Sequence, residues 1–347
     1  MSRKSVDHSV LFYKRMIAAT LALIIVTLAG LNVYFALSAA RARAALEAAQ
    51  DKLFAFEYEQ MERLAEEEAE RLRNAAVPEQ AKPEAEASAP EILAENILVA
   101  HAMGSVDDIS GLNCKEGFEQ SYAAGTRVFE ADLRMTADGF VVLRHDWRAE
   151  MQEGVGPTSL PTLEEYVSKP ILGKYTPLSF RDLLLIMAQY PDICVITDTK
   201  FTEPEAVTEQ FRAMTEEAKK LGLSYLFDRM AIQVYSAEHF AVVDSIHHFP
   251  HYIYTLYQDH FSGTENAFRD RAVFCQEHGI LGLALDATVW NEDFAAIANW
   301  RDIRVFVHTV NDEDAAHRLL DEGVHGIYTD SLTPDGLFPD RAKESEA

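Results

Sequence analysis

Several short apolar runs of the 347-residue chain end in residues that can hold a cation or move a proton. ILVAH ends in His101, RVFEADL carries Glu130 and Asp132, FVVLRHD ends in His145 and Asp146, and ICVITDTK ends in Asp198 and Lys200. Side chains alternate along a strand, so Glu130 and Asp132 share one face, as do Asp198 and Lys200. Three carboxylates gathered at one place repel unless protonated or neutralised, and a hard divalent cation with oxygen ligands is the usual neutraliser. Glu130, Asp132 and Asp198 are therefore the expected ligands of Ca²⁺ or Mg²⁺. His101 and His145 can then act as general base and general acid near neutral pH, with Lys200 stabilising charge on a phosphoryl oxygen. Such a set suits cleavage of a phosphodiester. Singly, a histidine or an ExD pair at a strand end is most often structural or solvated; the coincidence of all of them at strand ends carries the reading. Gln233, Tyr235, Trp290 and His308 lie near later strand ends and are candidates for the wall of a substrate pocket.

The elements that must position these residues alternate. Strands are expected at Ile97–His101, Val128–Leu133, Val141–His145, Ile193–Asp198, Met230–Tyr235, Tyr252–Leu256, Leu281–Leu285, Val305–Thr309 and Gly326–Thr329. Between them the pattern predicts helices at Glu116–Ala124, Phe180–Gln189, Glu203–Leu221, Asp270–Glu277, Asp293–Ala298 and Glu313–Glu322. This alternation implies βα units around a parallel sheet. An open doubly wound sheet would alternate too, but no Gly-rich phosphate loop opens the first helix. A barrel that carries its chemistry at the downstream strand ends explains where the charged residues fall. The expected fold is α/β, a (β/α)₈ TIM barrel over residues 94–335 followed by a disordered tail, 336–347.

Residues 16–40 contain no charge and are long enough to cross a hydrocarbon core, which predicts a single transmembrane helix. Arg3, Lys4, Lys14 and Arg15 precede it, so residues 1–15 are expected in the cytoplasm and the remainder outside, in a single-pass protein of the cell membrane. A cleaved signal peptide is the alternative, with small residues at Ser38, Ala39 and Ala40. Residues 41–76 lack Gly and Pro and repeat Leu at roughly helical spacing, a helical stem through which an oligomer could form. Residues 77–93 mix Pro, Ala, Glu and Ser without period and read as a linker. A formal net charge of -25 argues against a nucleic-acid partner. Three scattered cysteines, Cys114, Cys194 and Cys275, make no disulfide framework; one bridge from Cys275 to Cys114 or to Cys194 stays open.

Taken in order, VAHAMG, VFEADLRMTADGFVVLRHD, ITDTK, VHTVN and GVHGIYTD resemble the glycerophosphodiester phosphodiesterase family over roughly Ile97–Leu332. The ExDxxxTxDGxxVxxHD segment, Glu130 to Asp146, is the most specific part. The resemblance implies a (β/α)₈ barrel, a divalent cation, and hydrolysis of a small-molecule or lipid-derived phosphodiester to an alcohol and a phosphomonoester. It places His101 and His145 as the catalytic pair, Glu130 and Asp132 as metal ligands, and Asp198 where the family usually has the Glu of ExK, with Lys200 as its lysine. Asp138 and Gly139 match the family's turn. Three departures stand out: the family's His-Arg-Gly is here His101-Ala102-Met103-Gly104, its Pro-Glu-Asn-Thr is Gly111-Leu112-Asn113-Cys114, and its Trp before Thr-Val-Asn is His308. Asn113 is retained and counted among the substrate contacts. Two alternatives follow: a phospholipase acting on intact membrane lipid, and a non-catalytic barrel that serves as a surface binding protein.

Overall fold

The computed structural model describes residues 87–156 and 159–338. The expected transmembrane helix, stem and most of the linker lie outside the described residues. Among the described residues no helix is long and apolar enough to cross a membrane.

Eight parallel strands form the barrel: β1 (Leu98–Ala100), β2 (Val128–Met135), β4 (Cys194–Asp198), β5 (Met230–Val234), β6 (Tyr252–Thr255), β7 (Gly282–Asp286), β8 (Arg304–His308) and β9 (Gly326–Thr329). β1 closes it, pairing with β2 through Val99↔Val128 on one side and with β9 through Val99↔Tyr328 on the other. CVITD and MAIQV are buried at every position, as expected of strands covered on both faces. All nine expected strands are present, but the third, β3 (Val141–Leu143), stands outside the barrel. It pairs antiparallel with the far end of β2, Leu133↔Leu143, after a turn in which Gly139 adopts φ +84° and Asp138 Oδ1 accepts from Thr136 Oγ1 at 2.6 Å.

Helices α1 (Ala89–Glu95), α2 (Lys115–Ala123), α3 (Leu163–Ser168), α4 (Phe180–Gln189), α5 (Pro204–Leu221), α6 (Ala237–Ile246), α7 (Glu265–Glu277), α8 (Glu292–Arg301), α9 (Glu313–Asp321) and α10 (Pro334–Leu337) complete the described chain. Two corrections to the expected boundaries follow. α1 begins inside the segment read as linker: Glu91 accepts the backbone N–H of Ser88 at 2.7 Å, and Ile92 and Leu93 are buried with Val99, Val128, Ile196, Ala231 and Ile253 inside the barrel. α10, capped by Thr333, carries ordered structure into the segment read as a tail. α3 and α6 were not expected, although Thr162 and Glu165 form a capping box and Ser236 caps the N–H of His239.

Because Ile92 of α1 is buried against strand residues of the barrel, Ile92→Ala is expected to cost about 2–5 kcal/mol of stability, the range for truncating a buried aliphatic side chain. Urea denaturation checks this, and an unshifted midpoint would show that α1 merely covers the barrel.

The described cysteines are free and buried. The bridge left open from Cys275 to Cys114 or to Cys194 is therefore absent. Burial pushes the Cys114 thiol up to about 11 and the Cys194 thiol up to about 12, and raises Cys275 as well.

Candidate active site

The upper ends of β1, β2 and β4 bring the first carboxylates together. Glu130 and Asp132 project from one face of β2, and Asp132 pairs with Asp198 across the β2–β4 register. One carboxylate oxygen from each of Glu130, Asp132 and Asp198 lies within 4.8 Å of the others, and all three residues are buried. Buried anionic oxygens so close together suit a hard divalent cation. Lys200, in the left-handed region at φ +52°, turns its ammonium back onto Asp198 and to 2.7 Å from Asp132 Oδ1.

The charges set one another. Burial raises Glu130, and the charge of Asp132 beside it adds to the rise, to about 8. Burial would raise Asp132 too, but Lys200, then His145, outweigh it and hold Asp132 below the usual carboxylate range. Burial would lower Lys200; Asp198, Asp132 and Glu130 instead hold it well above its ordinary value.

His101 follows β1 in a tight turn that requires Gly104. That glycine has φ +91°, and a Cβ on it would lie 2.0 Å from Ser121 Oγ. The His101 Nδ1 is 2.9 Å from Asp330 Oδ1, and its Nε2 is 3.9 Å from Glu130. Burial opposes protonation of His101, but the Asp330 hydrogen bond and the neighbouring carboxylates raise it to about 9. Asp330 is in turn held by Asn311, whose Nδ2 donates to it at 3.0 Å.

His145 reaches the site by a route other than the expected one. It does not end a barrel strand, because β3 runs antiparallel above the rim. The N–H of Arg144 donates to Asp132 O at 2.8 Å, which returns the chain to the side of Asp132. Arg144 is buried and donates through Nε to Asp146 O, and Arg134 Nε donates to His145 O at 3.0 Å. The His145 Nδ1 is 3.0 Å from Asp146 Oδ2, and its side chain is 46% exposed. Both imidazoles thus have Nδ1 on a carboxylate, an arrangement that orients the ring and leaves Nε2 for chemistry.

A cavity of about 240 Å³ opens beside these groups, lined by His101, Glu130, Asp198, Lys200, Gln233, Tyr257, His308, Thr309 and Tyr328. Gln233 and His308 therefore lie where a pocket wall was expected. Asn113, Tyr235 and Trp290 do not. Asn113 is buried with both ends of its amide on Asp132, donating at 2.7 Å and accepting at 3.0 Å, so it supports that carboxylate. Tyr235 is buried with its hydroxyl on Asp198. Trp290 packs in the outer core against Phe268, ring centroids 6.4 Å apart. A larger polar cleft, about 380 Å³, lies on the other side of Asp330 and contains none of the three clustered carboxylates.

Residues not anticipated include Asp330, Asn311, Tyr257 and Tyr328. Asp330 closes the YTD of GVHGIYTD and is one more carboxylate at a strand end, a signal of the kind that identified Asp198. Tyr257 donates to Asp198 at 2.8 Å and follows β6 without any local cue.

The model of the glycerophosphoryl diester phosphodiesterase family matches residues 113–333. Among solved structures, a phosphodiesterase from Oleispira antarctica, in complex with its product sn-glycerol-3-phosphate, is 16% identical with TM-score 0.56, covering 70% of this chain and 95% of that one. A glycerophosphodiester phosphodiesterase from Parabacteroides distasonis is 18% identical with TM-score 0.55, covering 72% and 96%. One from Thermotoga maritima is 19% identical with TM-score 0.51, covering 71% and 98%. At such identities the likeness establishes a shared fold, whereas the family match spans most of the barrel. The chain belongs to the glycerophosphoryl diester phosphodiesterase family and is a phosphoric diester hydrolase.

Proposed function

We propose that the barrel hydrolyses a small glycerophosphodiester-type substrate to an alcohol and a phosphomonoester, using His101 and His145 as the proton-transfer pair. The observation that carries this reading is the buried Glu130–Asp132–Asp198 cluster with Lys200 and the carboxylate-oriented His101 at its edge. Those three carboxylates would hold Ca²⁺ or Mg²⁺. When bound, such an ion would neutralise them and would supply polarisation of a phosphoryl oxygen. Lys200 stabilises a second oxygen. One imidazole takes a proton from the water that attacks phosphorus, the P–O bond to the alcohol breaks, and the other imidazole protonates the departing alkoxide. Asn113, Tyr235 and Tyr257 hold Asp132 and Asp198 in place.

The cavity is of a size to admit a phosphodiester head group. We extend the proposal to an extracytoplasmic barrel tethered by residues 16–40, on the strength of that uncharged run and the basic residues before it. A phosphorus NMR time course on the full-length chain with glycerophosphoethanolamine, under Ca²⁺, Mg²⁺ or chelator, tests the chemistry. Cation-dependent growth of a phosphomonoester supports it. A cyclic phosphate would identify a hydroxyl of the substrate as the nucleophile, and no turnover under any cation would return the barrel to a binding role.

Asp330→Asn is expected to shift a pH–rate limb. Loss of that carboxylate lowers the His101 pKa, so the limb governed by His101 moves to lower pH, whereas Asp146→Asn leaves it in place. Identical profiles for wild type and Asp330→Asn would remove Asp330 from this role.

A further inference from the structure

The polar cleft of about 380 Å³ is formed by the loop after β1, the last turns of α2 and the loop between β9 and α10. Asp330 lines it and, through its hydrogen bond to His101, marks the partition from the cavity that holds Glu130, Asp198 and Lys200. Hydroxyls and amides such as Ser121, Thr126 and Gln120 dominate the lining, Leu332 adds an apolar patch, and none of the lining residues is a lysine, arginine or histidine. Two of its side chains lack partners. Thr126 is 4% exposed, and its backbone is bonded to Ser121 and Arg127, yet its hydroxyl bonds no described residue. Thr126 also touches a groove of about 50 Å³ beside Arg127, which has room for water but not for an organic ligand. Asp108 stands at φ +60° in a turn closed by reciprocal backbone bonds between Val106 and Ile109, and its carboxylate has no hydrogen bond or ion pair with a described residue. Its neighbour Asp107 is engaged by Lys174 and Tyr175, and Asp330 by His101 and Asn311. Folded proteins seldom leave a buried polar group unsatisfied, so the Thr126 hydroxyl calls for a partner from the cleft. Without a basic side chain the lining is unsuited to a phosphate or carboxylate, whereas the unmatched Asp108 suits a cation that can also donate hydrogen bonds. An ammonium brings three such donors, and hydroxyls on the same ligand can both donate and accept along the remaining wall. The volume is that of a small-molecule site.

We propose that this cleft is a second binding site, separate from the catalytic cavity, for a hydroxyl-bearing organic ammonium of amino-sugar size, with Asp108 receiving the ammonium and Thr126 a ligand hydroxyl. The inference stands apart from the phosphodiesterase reading, because Asp108 and Thr126 take no part in that chemistry.

The test is calorimetric titration of the full-length chain with glucosamine, glucose and glucuronate, which share one ring but are cationic, neutral and anionic at about pH 6, where amines are protonated and exposed carboxylates ionised. Glucosamine is expected to bind at least about tenfold more tightly than glucose, the worth of a hydrogen bond to a charged group, and glucuronate to bind more weakly than either. Asp108→Asn should erase the preference for glucosamine over glucose, and Thr126→Val should weaken both by about fivefold, the worth of a neutral hydrogen bond. Asparagine tolerates a positive φ, so the turn at Asp108 is kept, and valine matches the shape of threonine. Matching melting curves exclude misfolding as the cause. Asp198→Asn, which alters the catalytic cavity, should leave glucosamine affinity unchanged. A preference that survives Asp108→Asn, equal affinities for the three sugars, or no binding of any of them overturns the inference. So does a loss of glucosamine binding in Asp198→Asn as large as that in Asp108→Asn, which would place the amine in the catalytic cavity.

Discussion

Alanine at His101 or at His145 is expected to lower kcat for a glycerophosphodiester by about two to four orders of magnitude, with a much smaller change in KM. The expectation follows from geometry: each ring is oriented through Nδ1, His101 by Asp330 and His145 by Asp146. If the two rings act on one transition state, the double variant falls little further than the worse single one, since residues that work as a unit are strongly non-additive. Steady-state kinetics on folded proteins, matched by circular dichroism, makes the comparison. An alanine variant keeping more than a tenth of the wild-type kcat would take that imidazole out of the proton path.

The second large effect concerns the carboxylate cluster. Chelation is expected to abolish turnover and added Mg²⁺ or Ca²⁺ to restore it, and Asp132→Asn is expected to lose both cation binding and activity. Glu130 supplies an independent readout. Burial and the neighbouring Asp132 push its carboxyl toward the protonated form, and any proton it holds must leave before it becomes a ligand. Cation binding at pH 7 should therefore release protons, so the calorimetric enthalpy depends on the ionisation enthalpy of the buffer. Raising the pH should weaken that dependence without removing it at pH 9, because His101, raised to about 9 beside the cluster, still holds part of its proton. Saturating cation should also stabilise the fold, by about 2.7 kcal/mol at a concentration one hundred times Kd. A melting temperature indifferent to Mg²⁺, Ca²⁺ and chelator alike would show that the cluster holds no ion.

The parts of this site that were legible in the sequence share one property. A carboxylate or lysine at the end of an otherwise apolar strand is costly to bury without a purpose, so Glu130, Asp132, Asp198 and Lys200 announced themselves. What stayed hidden depends on contacts between distant segments. Asp330 meets His101 across 229 residues of chain, and its strand-end position, though visible in the sequence, does not name that partner. Aromatic residues near strand ends are ambiguous until the barrel closes. Tyr235 and Trp290 turned out to support Asp198 and the outer core, while Tyr257 and Tyr328 face the cavity. Asn113 was expected among the substrate contacts, but its partner is Asp132. α1 escaped because its Pro, Ala and Glu match the composition of the linker before it, although Ser88 and Glu91 form a capping box and Ile92 and Leu93 are buried.

The three buried thiols provide a built-in clock for opening of the barrel. Cys114 sits at the start of α2, Cys194 at the start of β4 and Cys275 in α7, so each reports a different part of the wall. Thiolate is the species that reacts with maleimide, and burial suppresses it at all three positions. A short maleimide pulse followed by peptide mapping would mark only molecules whose wall has opened at that position. Equal labelling rates at all three sites would reveal a single cooperative opening, and faster labelling at one would locate the weakest seam.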